Sequence, residues 1–221
     1  MIVTILTMNL QGYINWNNRK DLITKIIKKY NPDIIAFQEI HLDKMISNKD
    51  TMNQLNKELK YPYKKVLFYF DYSKDYGRGI FQRNPMKEGL GILAKYKFTT
   101  KKLNLPIIKG LDRWPRIAML CDFKKLKLAN IHLSKYKESR EKQWKLLSKD
   151  HILIGDFNMN PNELKKIKGN QILSYDFKKY ISYPKDKTTY DYSLLPKGKF
   201  LEVKIINQET DHKAIYFKIE I

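Results

Sequence analysis

The sequence predicts an α/β fold, on three observations. The first forty residues read strand, helix, strand; the middle of the chain is a run of short strands without intervening helices; and polar residues stand where apolar runs end. Residues 2–8 are short, apolar and rich in β-branched side chains, which predicts a buried strand stopping at Asn9. A helix follows over about 18–30, because Leu22, Ile23, Ile26, Ile27 and Tyr30 recur at helical spacing with lysines opposite. Asn31-Pro32-Asp33 ends it, and 34–37 begins a second buried strand that stops at Gln38-Glu39.

A second helix is expected over 50–59, then strands over 65–70, 89–94, 99–103, 116–123 and 127–133, paired as antiparallel hairpins. Between the first two of these strands lies a polar loop, 71–87, that carries Tyr72, Tyr76, Arg78 and Arg83. A helix over 136–149 turns Trp144 and Leu147 inward, with Tyr136 a third inward candidate. Then come a strand over 152–156, a short helix from Pro161, and strands near 188–194, 201–205 and 214–221. With no repeat, low-complexity linker or composition break, one domain spanning 1–221 is expected.

Of the 221 residues 43% are hydrophobic and 30% charged, an ordinary globular balance that excludes wholesale disorder. Lysine and arginine outnumber the acids 43 to 23, a formal charge of +20 that attracts polyanions such as nucleic acid or anionic headgroups. The abundance of lysine, asparagine, isoleucine and tyrosine is equally what compositional drift in an AT-rich genome leaves. The single cysteine, Cys121, excludes an internal disulfide and any multi-cysteine metal site; it falls in an apolar run and reads as a core thiol. The opening residues lack a basic leader and a small-residue cleavage site, and no apolar run approaches the roughly 20 residues of a bilayer span. The expectation is a soluble, cytoplasmic monomer with no membrane span and no obligate protein partner.

The chemistry-bearing candidates are the polar residues that interrupt or end core-like segments: Asn9, Glu39, His132, Asp156, Asn158, Asp191 and the pair Asp211-His212. In the run Gly155-Asp156-Phe157-Asn158, the acid and the amide two residues on point the same way. Buried acids that converge repel one another unless a cation gathers them. Oxygen donors with few histidines favour a hard divalent ion, magnesium or manganese. Each residue also has a plainer reading. Asn9 and Asn158 suit turns, Glu39 suits an exposed strand end, Asp191 suits a solvent-facing strand surface, and His132 suits a satisfied core histidine. His41 and His151 read as surface residues.

In order along the chain, Asn9, Gln38-Glu39, Asn130-Ile131-His132-Leu133, Gly155-Asp156-Phe157-Asn158, Tyr190-Asp191-Tyr192 and Thr210-Asp211-His212 resemble the motifs of the endonuclease/exonuclease/phosphatase superfamily. That group holds pancreatic deoxyribonuclease-like nucleases, abasic-site endonucleases, magnesium-dependent sphingomyelinases and inositol polyphosphate phosphatases. The resemblance covers nearly the whole chain and implies a four-layer α/β/β/α sandwich of two mainly antiparallel sheets flanked by helices. It implies Glu39 as the principal ligand of magnesium (or manganese), with Asn9 and Asp211 as further ligands or supports. It implies Asp156 as the base that activates water, Asn158 as the amide that positions a phosphate oxygen, and His212 as the donor to the phosphate. Asp191 would orient His212, and His132 would stand near the phosphate or leaving oxygen. Arg116 falls where relatives often carry an arginine. The chain departs from the pattern in lacking an arginine in Asp186-Lys187-Thr188-Thr189 and in carrying Ser193 after the Asp-Tyr pair.

The function expected is metal-assisted, in-line attack of water on a phosphodiester of DNA or RNA, with Arg78, Arg83, Lys87, Arg113 and Arg116 as phosphate contacts. The alternatives are a phospholipid phosphodiesterase or an inositol or sugar phosphate phosphatase with the same site, for which Tyr69, Phe70, Tyr72, Tyr76 and Phe81 would form an aromatic lip. A third is a silent binding module that keeps the fold.

Overall fold

The computed structural model of the protein describes residues 1–71, 86–112, 114–173 and 180–221. Their strands form two six-stranded sheets. The first runs β11 (Lys199–Ile206), β12 (Ala214–Glu220), β1 (Ile2–Asn9), β2 (Ile34–Asp43), β4 (Met86–Ala94), β3 (Tyr63–Asp71). The second runs β5 (Thr99–Leu105), β6 (Arg116–Asp122), β7 (Lys127–His132), β8 (Ile152–Asp156), β10 (Asp191–Leu195), β9 (Ile172–Leu173). Each sheet has one parallel pair, β1 with β2 and β7 with β8, and is otherwise antiparallel. The parallel pairs are the places where a helix makes the crossover: α1 (Trp16–Tyr30) between β1 and β2, and α3 (Lys137–Leu146) between β7 and β8.

Alternation along β1 explains the layering. Val3 and Ile5 point into the core between the sheets, while Leu6 and Met8 face α1 and α2 (Thr51–Leu59). Ile23, Ile26 and Ile27 are the buried stripe of α1, which ends at Asn31 in the left-handed conformation just before Pro32. Trp144 and Leu147 seat the chain of α3 against the second sheet together with Leu164 of α4 (Pro161–Ile167). Asn160 and Glu163 close a capping box at the start of α4. The four layers are those expected. Tyr136, by contrast, is 40% exposed: it is the N-cap of α3, in extended rather than helical conformation, so the helix does not turn it inward. The two-residue β9 and the 3-10 turn Pro184–Asp186 are too short to leave a periodic signal.

The same alternation carries polar groups into the space between the sheets. Thr7 and Asn9 continue the inner face of Val3 and Ile5, Gln38 continues that of Ile34 and Ala36, and Asn130 lies between Leu128 and His132. Gln38 is fully buried and donates through Nε2 to Asn130 Oδ1 at 2.7 Å and Thr7 Oγ1 at 3.1 Å. Asn130 Nδ2 donates back across the gap to the carbonyls of Phe37 (2.9 Å) and Gly91 (3.1 Å). These amides join the two sheets directly beneath the candidate site. Gly155, at φ +125°, makes the close approach possible: a Cβ there would stand 2.1 Å from the carbonyl oxygen of Ile131 and 3.0 Å from Gln38 Nε2. Gly155→Ala is therefore expected to lower stability by about 2–4 kcal/mol, read from the urea midpoint at unchanged m-value. An unchanged midpoint would mean that the sheets separate there without cost.

Candidate active site

Strand register builds the centre of the site. Parallel pairing sets His132 of β7 beside Asp156 of β8, and antiparallel pairing sets Asp191 of β10 on its other side. Three inner-face polar groups thus stand in a row at one end of the second sheet, each almost fully buried. His212, in the loop just before β12, completes the row from the first sheet: its Nδ1 lies 2.8 Å from Asp191 Oδ2 and its Nε2 3.7 Å from Asp156 Oδ2. Ser182 Oγ donates to the same Asp191 oxygen at 2.7 Å. Tyr183 meets the His212 ring edge-on, with centroids 4.8 Å apart.

These contacts separate the two histidines electrically. Burial alone would lower the pKa of His212, but Asp191 and Asp156 outweigh it and raise it to about 10. His132 is pushed well below the ordinary histidine range by burial and by Arg116. Arg116 Nη1 is 3.2 Å from His132 Nδ1. A guanidinium only donates, so Nδ1 accepts and the proton of the neutral ring is on Nε2, 3.4 Å from Asp156 Oδ2. Asp156 itself is raised to about 7, chiefly by burial and then by Asp191 against the pull of His212. Its Oδ1 accepts the backbone N–H of Asn158 at 2.8 Å.

Glu39 reaches this row from the first sheet through a bulge. Plain alternation would send it outward with Ile35 and Phe37. Instead the β2–β4 register slips between Phe37 and Ile40, and Glu39 takes φ +52°. Its Oε1 accepts from Asn9 Nδ2 at 3.1 Å, and the same amide lies 3.5 Å from Asp156 Oδ2. Glu39 is not at a strand end, since β2 continues to Asp43; the bulge, not a terminus, aims it. Its pKa is raised, first by burial and then by the charge of Glu88. Asp211 lines the same cleft, and its Oδ1 is buried without a hydrogen-bond partner. Asp156, Asp191 and His212 each offer a metal-ligand atom, all within 4.8 Å of one another.

Behind Glu39 lies a group that the motifs did not single out. Glu88 is flanked by His41 Nε2 at 3.6 Å and Arg116 Nη1 at 3.6 Å, and it accepts a hydrogen bond from Tyr69. Burial would raise Glu88, but His41 and Arg116 hold it down at about 2. Glu88 follows the period-2 face of Leu90 and Ile92, so an acid on a core face was the signal available in the sequence. His41 is half-buried rather than a surface residue, because this carboxylate holds it. Tyr69 and Phe70 are buried, Tyr69 on Glu88 and Phe70 against Trp114, so they form no aromatic lip. Tyr72, Tyr76, Arg78, Phe81, Arg83 and Arg113 lie outside the described residues, and Lys87 pairs with Asp71 at 3.4 Å.

The row opens into a cleft of about 370 Å³ lined mainly by polar groups, among them Glu39, Asp156, Asn158, Asp211 and His212. Asn158, at φ +50°, spends one amide hydrogen on the carbonyl of Leu133 at 2.9 Å and keeps the other for the cleft. Arg140 is buried beside it and ties Glu163 (2.8 Å) to the backbone of Lys135 (2.6 Å), bracing the rim. Nothing in the local pattern of α3 marks Arg140, which depends on a partner 23 residues away. Cys121 is buried, and burial raises its thiol well above the ordinary range, as fits a core residue.

A model described as the Endonuclease/Exonuclease/phosphatase family matches residues 6–176. The chain belongs to this family. Among solved structures it resembles the endonuclease/exonuclease/phosphatase from Beutenbergia cavernae DSM 12333, with TM-score 0.75 and 12% identity over 100% of this chain and 72% of that one. It resembles a family protein from Leptotrichia buccalis C-1013-b, with TM-score 0.71 and 17% identity over 99% of this chain and 100% of that one. It also resembles D. rerio TDP2 solved with a single-strand DNA product, with TM-score 0.68 and 17% identity over 100% and 99%. At these identities the likeness is one of fold. No curated protein matches the sequence.

In this member of the endonuclease/exonuclease/phosphatase family the two histidines have opposite charge states, and that is measurable. His212 is raised, so the stability it contributes is fully present below its ordinary pKa of 6.5 and is lost as pH climbs through about 10. Imidazole NMR on metal-free protein is expected to find His212 protonated up to about pH 9 and His132 a neutral Nε2–H tautomer at neutral pH. Asp191→Asn is expected to bring the His212 midpoint down by more than a unit, while a midpoint near 6.5 in the unmodified protein would contradict the pairing.

Proposed function

We propose that the protein is a divalent-metal-dependent phosphodiester hydrolase acting on nucleic acid. One observation carries the reading: an ionisable carboxyl poised near neutrality, Asp156, is held between a charged histidine and a neutral one and faces a second set of oxygen donors across a polar cleft. The fold it shares with D. rerio TDP2, solved with a single-strand DNA product, supports a nucleic-acid substrate, as does the formal charge of +20. Tyr69 and Phe70 are buried, so two of the five rings expected to form a lipid-binding lip do not contribute to one. No helix among the described residues is long and apolar enough to cross a membrane.

The donor set fits a hard cation. Asp211 Oδ1 is buried without a partner, Glu39 is held against its own ionisation by burial and by Glu88, and the available atoms are oxygens. Glu39 and Asp211, supported by Asn9, would hold magnesium or manganese, which when bound neutralises phosphate charge and stabilises the leaving alkoxide. The chain's own groups do the rest. Asp156 takes the proton of the attacking water, for which a pKa of about 7 suits a base working near neutrality. His212, charged through its bond to Asp191, donates from Nε2 to the phosphoryl oxygens as their charge grows. Asn158 offers its free amide hydrogen to a second oxygen, and His132 offers Nε2–H from the other side of Asp156. Arg116 acts here through His132, whose tautomer it sets, more than by touching phosphate, because the residue is buried.

Asp156→Asn and His212→Ala are each expected to lower magnesium-dependent cleavage of an oligonucleotide by about a thousandfold without changing the fold. Glu39→Gln is expected to raise the magnesium concentration needed for half-maximal rate by at least tenfold, and a chelator is expected to abolish cleavage by the unmodified protein. Full activity of Asp156→Asn on every phosphodiester tried would refute the assignment.

A further inference from the structure

The cleft does not end at the catalytic row. Lys135, exposed in the loop between β7 and α3, lines both the 370 Å³ cleft and a second cavity of about 90 Å³ formed with Asp112, Trp114, Arg116, Ser134 and Tyr136. Lys135 is thus a wall shared by the two cavities. The carboxylate of the second cavity is used internally: Asp112 accepts from Ser134 and Ser139 and from the Ile108 backbone N–H. What this cavity presents outward is one exposed cation, Lys135, and two rings, while the buried Arg116 forms part of its wall. Trp114 is fixed edge-on against Phe70, with centroids 4.6 Å apart, and stays partly exposed. Tyr136 is 40% exposed while its backbone N–H is held by Ser134 Oγ at 3.1 Å.

Strand order sets a second pair of rings on the other flank. The sheet runs β6-β7-β8-β10, so the loops carrying Trp114 and Tyr136 lie on one side of Asp156, and the segment leading into β10 lies on the other. That segment carries Tyr183 and Tyr190, with centroids 5.4 Å apart, and Tyr190 is steadied by a hydrogen bond to Asp186 at 3.0 Å. Rings thus flank a phosphate-sized polar centre on both sides. A lipid would ask for a continuous apolar wall, and a small phosphate would leave the outer rings unused.

Resting on the phosphodiesterase reading above, we propose that this groove binds an unpaired polynucleotide across its cut site. Bases stack on Trp114 and Tyr136 on one flank and on Tyr190 on the other, and Lys135 meets the phosphate next to the scissile one. Bases in a duplex are already stacked on each other, so only an unpaired strand frees their faces for protein rings. Because the groove continues past the centre in both directions, the bond cut is internal.

The test uses the full chain with magnesium and three substrates: a closed single-stranded DNA circle, linear oligonucleotides with an abasic residue on either side of a mapped cut, and methyl 4-nitrophenyl phosphate. The circle is expected to be opened. An abasic residue beside the cut is expected to cost the unmodified protein about tenfold in kcat/KM, and Tyr136→Ala is expected to shrink that penalty on one flank to less than about twofold. A merely structural role for Tyr136 would lower the rate on both oligonucleotides alike and leave the penalty in place, which would overturn the stacking. Hydrolysis of the small ester and trimming of linear ends with the circle intact would overturn the internal cut. If neither the ester nor any DNA is hydrolysed, the phosphodiesterase reading falls, and this one with it.

Discussion

The amide clasp between Gln38 and Asn130 is the constraint on which the rest of the site depends. A sandwich of two sheets is usually held by apolar side chains, which tolerate sliding because hydrophobic contact has no direction. Amide hydrogen bonds do have direction, and here both amides are sealed from water, so a displacement would strand buried donors at about 1–3 kcal/mol each. The clasp binds the residue before Glu39 on one sheet to the residue two before His132 on the other. Close backbone approach at Gly155 then sets Asp156 at a fixed height against both. Side chains from two sheets are thereby held against one another at the candidate site, as a reaction sensitive to geometry would require.

Charge follows from that geometry. Bringing Glu39, Glu88, Asp156, Asp191 and Asp211 to one end of a sandwich is unfavourable, and the fold meets it unequally. Glu88 is paired with Arg116 beside His41, and Asp191 with His212, so both serve as fixed negative ends of internal pairs. Among the described residues Glu39 and Asp211 make no close ion pair, and Asp156 faces the charged His212 at 3.7 Å; Arg19 and Arg116 act on them only from farther away. Under the proposed function this division is useful: the paired acids orient, and the under-compensated ones act on cation and water. A carboxylate with its own arginine would be a poorer base, because its pKa would be pulled down and its lone pairs occupied.

Legibility in the sequence followed the range of the interaction concerned. Inner-face polar residues such as Asn9, Asn130 and His132 were readable because strand alternation is local and an amide or imidazole stands out among Val, Ile and Leu. Asp191 was readable as a residue but not as a buried one, since its burial comes from β8 and from Ser182, neither of which is visible from Tyr190 and Tyr192. Glu39 was identified with the wrong local reason: a strand end was expected, whereas a bulge with positive φ re-aims it, and bulges leave no reliable sequence mark. Glu88 shares the core phase of Leu90 and Ile92, but a lone acid ahead of Gly89-Leu90-Gly91 matches no motif and gives no other sign of its partners. Arg140 and Tyr183 depend on partners in other elements and had no local signal at all.

The net charge of +20 and the acidity of the cleft pull on a phosphate chain in different ways, and distance reconciles them. Beyond a Debye length of about 8 Å only the summed field survives, and it is positive, so a polyanion is drawn to the molecule as a whole. Within the cleft the nearest charges decide, and there Glu39, Asp156 and Asp211 would repel a phosphate unless a divalent cation accompanied it. Under the proposed function the consequence would be selectivity by approach: the overall positive charge would draw a strand in, and only a site loaded with cation would admit it to Asp156. The same lysine-rich composition that drift alone would produce thus becomes useful beside a pocket of opposite sign, and salt is expected to weaken strand capture more than it weakens the chemistry once the phosphate is in place.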